Sequence, residues 1–207
     1  RRLDLEPLAR RPAGLKRIAT RVNLLARLVA GTAKAAGLTP KHDAFFDTVA
    51  LDAGTKAQAL MDAALKRGFN VARIDATTVG IALDETVTRE DLDALTGAIA
   101  EAAGKPAAAG ATAGGIPAAL ERRSAFCTAS VFTAHHAEHA MLRYLKSLED
   151  KDVALNRSMI PLGSCTMKLN ATAEMVPVTL PGFSVIHPFA PVDQAKGYRE
   201  LTDRLRP

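Results

Sequence analysis

TKAQALMDAALKRGFNVARIDATTVGIALDETVTREDLDALTGAIA occupies residues 55–100 and alternates helical periodicity with short apolar runs. Residues 55–66 predict an amphipathic helix because apolar side chains recur at helical spacing, and Gly68 follows as a stop signal. Residues 71–74 and 79–83 are apolar, partly β-branched runs with the length of strands. The apolar face of the predicted helix consists of Leu60, Met61, Ala64 and Leu65.

A second helix and a further strand flank these elements. Thr88 and Asp91 have the spacing of a capping box, with Asp91 in place of the usual Glu, and predict a helix start. Residues 42–51, HDAFFDTVAL, hold two adjacent aromatic residues and a β-prone run, and they predict a strand. The β-α-β-β-α order predicts a small α/β unit over residues 41–101, with two helices covering one sheet. The inward positions of the second helix are Leu92, Leu95 and Ile99.

The N-terminal part of the chain is basic and amphipathic. Residues 14–37 predict a helix, because apolar residues recur at three- and four-residue steps and Gly37 lies at the end. The net charge is +5, and we expect the basic residues to form the solvated side of this helix. Nucleic-acid binding is disfavoured, since it would prefer aromatic residues and glycines between the basic ones. The basic residues are Arg1, Arg2, Arg10, Arg11, Lys16, Arg17, Arg21 and Arg27.

Composition limits the class of protein. A hydrophobic fraction of 48% with only 4% aromatic residues favours a helix-rich α/β protein over a β-sandwich. Cys127 and Cys165 match neither a disulfide framework nor a Cys-x-x-Cys metal site, which favours a reducing compartment. No apolar run approaches the roughly 18 residues of a membrane span. Because Arg1 replaces an initiator Met and Pro207 closely follows a helical pattern, we expect a fragment of a longer chain.

The second half of the chain has a different character. Residues 102–119 are rich in Ala and Gly without hydrophobic periodicity, which predicts a linker. Residues 133–151 predict one strong helix, residues 156–193 an extended, loop-rich region with five prolines, and residues 197–206 a further helix. The predicted buried stripe of the strong helix consists of Met141, Leu142, Leu145 and Leu148, and its water-facing residues are Arg143, Lys146, Glu149 and Asp150.

The loop SMIPLGSCTMKLNATAEM, residues 158–175, has neither helical nor strand periodicity. It is either a structured surface loop or a loop that lines a site with backbone N–H groups and polar side chains. A Walker-type phosphate loop is excluded, because Lys168 lacks a Gly before it and a Ser or Thr after it. Cys165 could act as a nucleophile only with a partner that one sequence does not identify, so a structural thiol is favoured.

Other polar clusters favour structural roles. His135 and His139 have the i, i+4 spacing of zinc ligands, but the His-Glu-x-x-His order and a third ligand are missing. We therefore predict no metal site. Asp84 and Glu85 would face opposite sides of a strand, which favours a polar strand end over a paired-carboxylate site.

Several long motifs resemble the glycine cleavage system P-protein family, the pyridoxal-phosphate-dependent glycine decarboxylases. The resemblance is carried by RSMIPLGSCTMKLNATAEMVPVTLPGFSVIHPFAPVDQAKGYREL (157–201), SAFCTASVFTAHHAEHAMLRYLKSLEDKDVALNRS (124–158), HDAFFDT (42–48) and TTVGIALDETVTREDLDAL (77–95). It implies an α/β fold of the aspartate-aminotransferase type (type I) in two related halves. Residues 1–104 would be the small α/β domain that closes the first half, 105–119 a linker, and 120–207 the helical and loop-rich start of the second, catalytic half.

The resemblance also implies an activity. The whole enzyme would decarboxylate glycine with pyridoxal 5'-phosphate and pass the aminomethyl group to the lipoyl arm of the H protein. It would be a homodimer or a two-half assembly in the bacterial cytosol, with the mitochondrial matrix as the alternative, and without nucleic-acid or membrane partners. The rival hypothesis is a non-catalytic interaction or regulatory module. A His-Lys dipeptide before a glycine-rich run further downstream would favour the decarboxylase.

The family's cofactor lysine lies in such a His-Lys motif, and no His-Lys dipeptide occurs in this sequence. Lys168 is therefore not assigned that role, no catalytic residue is assigned, and we expect the 207 residues alone to be inactive. The resemblance implies only proximity to the active site for five loop residues. His187 either helps to form the site wall or a dimer contact, or it is a structural histidine. The five loop residues are Ser164, Cys165, Thr166, Lys168 and Asn170.

Overall fold

A computed structural model of the chain describes residues 12–106, 111–153 and 171–206. The chain divides into two compact units between Lys146 and Ser147, and each unit is described by itself. The first unit contains the hydrophobic core, which lies between one long helix, a small sheet and two further helices.

Helix α1 spans Pro12–Ala36 and confirms the predicted N-terminal helix. It packs an alanine-rich face against the sheet, with Ala26, Val29 and Ala30 fully buried. The helix ends at Gly37, which adopts a positive φ of 85° that glycine accepts without steric cost. The N–H of Leu38 donates to the Ala33 carbonyl and that of Gly37 to the Lys34 carbonyl, which is the Schellman pattern. The glycine therefore ends the helix and turns the chain into the sheet.

The sheet is antiparallel and has the order β1-β2-β4-β3 in the described residues. Its strands are β1 (Thr39–Pro40), β2 (Thr48–Asp52), β3 (Ala72–Arg73) and β4 (Thr78–Ala82). Val49 pairs with Ile81 and Leu51 with Val79, so all four side chains share the buried face. The predicted β-α-β-β-α order is confirmed from β2 onward, although β2 begins at residue 48 and not at 42, and the short strand β1 was not predicted.

Two helices complete this α/β unit, α2 (Ala57–Lys66, after a 3₁₀ turn at Gly54–Lys56) and α3 (Arg89–Ala103). The predicted capping box is confirmed: the Asp91 N–H donates to the Thr88 hydroxyl at 3.1 Å, and the Thr88 N–H donates to the Asp91 carboxylate at 2.9 Å. The Arg67 guanidinium donates to Glu101 at 2.6 Å, joins the two helices and holds the pKa of that carboxyl below its ordinary value.

Two arginines of α1 depart from the expected solvated face. Arg21 donates to the carbonyls of Glu85 and Val87, which lie in the connection between β4 and α3. Arg27 donates to the carbonyl of Gly114 at 3.0 Å. A long basic side chain on the polar side of a helix can reach over to a neighbouring loop, so these two residues anchor connections and do not simply face water.

The predicted single helix over residues 133–151 is wrong. The chain forms α4 (Val131–Ala134) and α5 (Glu138–Glu149), because the backbone of His135 leaves the helical region at φ −110° and ψ 63°. The predicted burial of its apolar stripe is also wrong. The exposed fractions are 37% for Met141, 55% for Leu142, 53% for Leu145 and 41% for Leu148.

The extended conformation predicted for residues 156–193 is wrong where the structure describes them, at 171–193. Short helical segments occur there, because Pro177 and Pro181 lie in the first turns of two of them, where a missing N–H leaves no bond unmade. The predicted C-terminal helix is confirmed as α8. The segments are α6 (Thr172–Met175), a 3₁₀ turn (Val176–Thr179), α7 (Pro181–Ser184), a 3₁₀ turn (Val192–Gln194) and α8 (Lys196–Leu205).

Candidate functional site

Most of the predicted site residues fall on one loop that lies outside the described residues: Ser164, Cys165, Thr166, Lys168 and Asn170. Their proximity to an active site stays a prediction. His187 is described, and so are the histidines near α5 and the polar clusters of the α/β unit.

His187 lies in a tight turn formed by residues 187–190. The N–H of Ala190 donates to the His187 carbonyl at 2.9 Å, and the N–H of Phe189 donates to the His187 Nδ1 at 3.0 Å. An N–H donor at Nδ1 places the hydrogen of a neutral imidazole on Nε2. The ring lies 5.7 Å from that of Phe189, which is 90% exposed. His187 thus stabilises its own turn and keeps Nε2 available as a donor.

A groove runs between α7 and α8 in the C-terminal unit. It has a volume of about 440 Å³, and Phe183, Tyr198 and Leu201 supply much of its apolar lining. The Tyr198 hydroxyl donates to the Phe183 carbonyl, and the two rings meet edge to face at 5.7 Å. The sequence predicted the helix but not this aromatic pair, because the pairing of Phe183 with Tyr198 joins residues 15 positions apart and leaves no local pattern. The arrangement fixes the angle between the two helices.

The histidines near α5 are not brought into a metal-binding arrangement. His135 lies before α5 and not on it, so the i, i+4 geometry considered for His135 and His139 does not form. His135 instead stacks on Tyr144, with ring centroids 4.2 Å apart and an interplanar angle of 10°. No group of three His, Cys, Asp or Glu side chains that could hold a metal ion occurs within residues 12–106, 111–153 and 171–206. Sequence reasoning missed the stacking because periodicity placed both residues in one helix.

Two carboxylates of the α/β unit, Asp75 and Asp84, accept hydrogen bonds from the backbone of the turns in which they lie. The pKa of Asp75 is held well below its ordinary value by the N–H of Thr77 and by further hydrogen bonds from Thr78 and Lys41. Asp84 accepts from the N–H and the hydroxyl of Thr86 just after β4, in agreement with the predicted polar strand end. These carboxylates are saturated with short-range donors, which suits a structural role and not proton transfer.

The described residues do not fit a covalent pyridoxal phosphate site. Such a cofactor needs a lysine amine in an enclosed pocket, and every lysine that the structure describes is exposed. The orphan polar atom that can be identified, the buried Thr78 hydroxyl, belongs to the sheet of the α/β unit. No step of a reaction is therefore assigned to the described side chains.

The exposure of the side chains differs before and after Gly115, which is the last buried residue among those that the structure describes. From residue 116 onward no described residue is buried, although the segment carries amphipathic helices. Isolated apolar side chains are normal on a protein surface, but a helix with an entire exposed apolar stripe is not. Within the described part of the chain, no helix has both the length and the apolar character of a membrane span. The exposed stripe of α5 is by itself typical of a face that packs against another part of a protein.

Comparison with known proteins identifies relatives along almost the whole chain. Residues 8–99 match the family described as glycine cleavage system P-protein. A glycine dehydrogenase (decarboxylating) of Paraburkholderia phytofirmans is 54% identical over 205 residues, which cover 94% of this chain and 21% of that protein. The corresponding proteins of Paraburkholderia xenovorans and Cupriavidus metallidurans are 54% and 52% identical, again over 94% of this chain. The chain spans about a fifth of the length of these curated relatives.

Proposed function

Because the chain belongs to the glycine cleavage system P-protein family, we propose that it is a segment of a glycine decarboxylase. The whole enzyme would release CO2 from glycine with pyridoxal phosphate as the electron sink and transfer the aminomethyl group to the lipoyl arm of the H protein. The single observation that carries this proposal is the 54% identity over an alignment that covers 94% of this chain. The three relatives are bacterial, which favours the bacterial cytosol over the mitochondrial matrix.

The proposed architecture is that of an aspartate-aminotransferase-like (type I) enzyme with two related halves. Residues 1–104 would be the C-terminal small domain of the first half, residues 105–119 would link the two halves, and residues 120–207 would be the start of the second half. Two observations support this division. The α/β unit has its own buried core, whereas the described residues after 115 have none and expose their apolar stripes. An unfinished domain has this character, since its missing elements would supply the other side of the core. The enzyme would act as a homodimer or a two-half assembly.

The proposed role of residues 158–191 is to enclose the active site. The loop residues Thr166 and Lys168, with Ser164, Cys165 and Asn170, would border bound glycine without acting on it chemically. His187 would contribute its Nε2 donor or a wall of the site, which is consistent with a ring held by a hydrogen bond at Nδ1. The prolines of this stretch suit the proposed role, because proline fixes φ and so lowers the conformational freedom that is lost when substrate is enclosed.

A chimera tests the proposal. The matching 205 residues of the Paraburkholderia phytofirmans protein are replaced by this chain, and glycine–CO2 exchange is measured with lipoylated H protein. We expect exchange within about tenfold of the parent enzyme. Thr166→Ala or Lys168→Ala in the chimera should reduce it by about 10²-fold, because misplacement of substrate by 1 Å has that effect. Thr202→Ala and Lys196→Ala, at exposed positions of α8, are the matched controls.

An active chimera whose loop variants match these controls would remove the proposed role of the loop. An inactive but folded chimera would contradict the decarboxylase proposal itself and favour the interaction module. The isolated 207 residues should bind no pyridoxal phosphate covalently. A visible absorption band that survives gel filtration would overturn that expectation.

A further inference from the structure

Residues 111–115, ATAGG, lie along a groove on the α/β unit. The groove lies between the middle of α1 and the loop at residues 43–45. The N–H of Ala113 donates to the Arg27 carbonyl at 3.1 Å, and the Arg27 guanidinium returns a hydrogen bond to the Gly114 carbonyl at 3.0 Å. These contacts join residues more than 80 positions apart, within a stretch that composition alone marks as a linker.

The second half of the segment pairs with the loop. The N–H of Gly115 donates to the Asp43 carbonyl at 2.9 Å, and the N–H of Phe45 donates to the Gly115 carbonyl at 3.2 Å. Ala44 and Gly115 thus form an isolated parallel β-bridge. Gly115 is buried, and Ala113 packs against the hydrophobic core. The backbone of the segment is therefore held by hydrogen bonds to α1 on one side of the groove and to the loop at residues 43–45 on the other.

Three glycines make this approach possible. A Cβ at Gly31, in the interior of α1, would lie 1.7 Å from the Ala111 carbonyl oxygen. A Cβ at Gly114 would lie 2.5 Å from the Phe45 ring, and one at Gly115 would lie 2.9 Å from the Arg27 side chain. Gly114 and Gly115 also adopt positive φ values of 66° and 121°. At Gly31 and Gly114 a Cβ would clash with backbone atoms, and at Gly114 and Gly115 the positive φ would strain any other residue.

Gly31 also explains why a helical carbonyl accepts an additional donor. The carbonyl of residue 27 points along the helix toward residue 31, its i+4 partner. A side chain at position 31 would cover that carbonyl, and glycine leaves it open to the N–H of Ala113. Glycine within a helix is unfavourable relative to alanine, so its presence here is matched by a contact that alanine would prevent.

We propose that this groove is a dedicated binding site for a small-residue peptide ending in two glycines, and that residues 111–115 occupy it within the same chain. The occupied groove fastens residue 116 to the α/β unit, so that the unit and the start of the following segment move together. The site does not depend on glycine decarboxylation and is distinct from the loop proposed to border the active centre. Arg27, Gly31 and the backbone of residues 43–45 form the receiving side.

Hydrogen exchange of single amides in the full 207-residue chain tests the proposal. Gly31→Ala adds a methyl group to the groove, and Gly114→Ala adds one to the peptide that occupies it. Gly97→Ala is the control, since a Cβ at position 97 meets only the Arg67 side chain, at 3.7 Å. Both test variants should accelerate exchange at Ala113 and at its neighbours Gly115 and Phe45 by at least about tenfold. The amides of β2 and β4 should keep their protection, and the control should change neither group.

The double variant Gly31→Ala/Gly114→Ala should exchange no faster at these amides than the faster single variant, because both changes break one contact. Unchanged protection in both single variants would overturn the proposal. Should Gly31→Ala unfold the sheet, Gly114→Ala decides the question, because Gly114 lies outside every helix and strand of the unit. Loss of sheet protection in Gly114→Ala would also overturn it, since a separable segment cannot carry the fold.

Discussion

Replacing Leu60 by alanine should destabilise the α/β unit by about 3 kcal/mol, whereas the same replacement at Leu65 should change its stability by less than about 0.5 kcal/mol. Both residues lie on α2, and the spacing of apolar residues placed both on one face. The structure separates them: Leu60 is fully buried in the core, and Leu65 is 53% exposed.

The magnitude follows from burial. Leu60→Ala removes roughly three methylene-sized groups, each worth about 0.8 kcal/mol when fully buried, and it leaves a cavity that adds a further cost. Leu65→Ala removes carbons that remain largely in water, and alanine slightly favours the helix. The pair shares helix, residue type and substitution, so the difference between them reports burial alone.

Urea unfolding followed by far-UV circular dichroism measures both variants. With a slope of about 1.5 kcal/mol per molar urea, Leu60→Ala should lower the midpoint by about 2 M, and Leu65→Ala should leave it nearly unchanged. Equal shifts for the two variants, or a larger shift for Leu65→Ala, would refute the described packing of α2 against the sheet and α3.

Three further predictions follow from the described contacts. Thr88→Ala should destabilise the chain by about 1 kcal/mol because α3 loses its N-terminal cap, whereas Thr96→Ala, at a half-buried position within the same helix, should cost less than about 0.5 kcal/mol in the same urea titration. The folded state holds the pKa of Asp75 below the ordinary value of 3.8, so the stabilisation from this carboxylate is present above that pH and is lost as the pH falls. Asp75→Asn should therefore weaken the dependence of the unfolding free energy on pH between about pH 5 and 2. An unchanged pH dependence in this range would contradict the hydrogen-bonded role of Asp75. Leu142→Glu should leave the isolated chain as stable as before because Leu142 is exposed, whereas Leu95→Glu should unfold the chain because it places a charge in the core. Thermal unfolding measures both variants. Equal effects of the two substitutions on the unfolding temperature would contradict the exposure of the apolar stripe of α5.

The sequence predicted those elements whose signals are local. The Thr88–Asp91 cap, the stop at Gly37 and the order of strands depend on residues within a few positions of each other, and all three are confirmed. Periodicity identified the apolar stripe of α5 but not its exposure, because a helical period shows which face is apolar and not whether a partner is present. The predicted burial of Leu142 was therefore wrong for this chain, because the helical period does not show whether another element covers the stripe.

The contacts of residues 111–115 could not be read from composition. Small residues without periodicity are typical of flexible linkers, yet the same residues permit the closest approach of two backbones, as at Gly31 and Gly114. The His135–Tyr144 stack was missed for a related reason, since a three-residue interruption between two helices leaves no clear pattern. The proximity of Thr166 and Lys168 to an active site stays a prediction from resemblance.

We infer that the residues after 115 form one side of a domain whose core is completed by further protein. Hydrogen exchange of residues 131–149 and 196–205, compared between the isolated chain and the Paraburkholderia phytofirmans chimera, tests this claim most directly. We expect rapid exchange in the isolated chain and at least about 10²-fold slower exchange in the chimera, with β2 and β4 protected in both. Equal and strong protection of both segments in the isolated chain would contradict it.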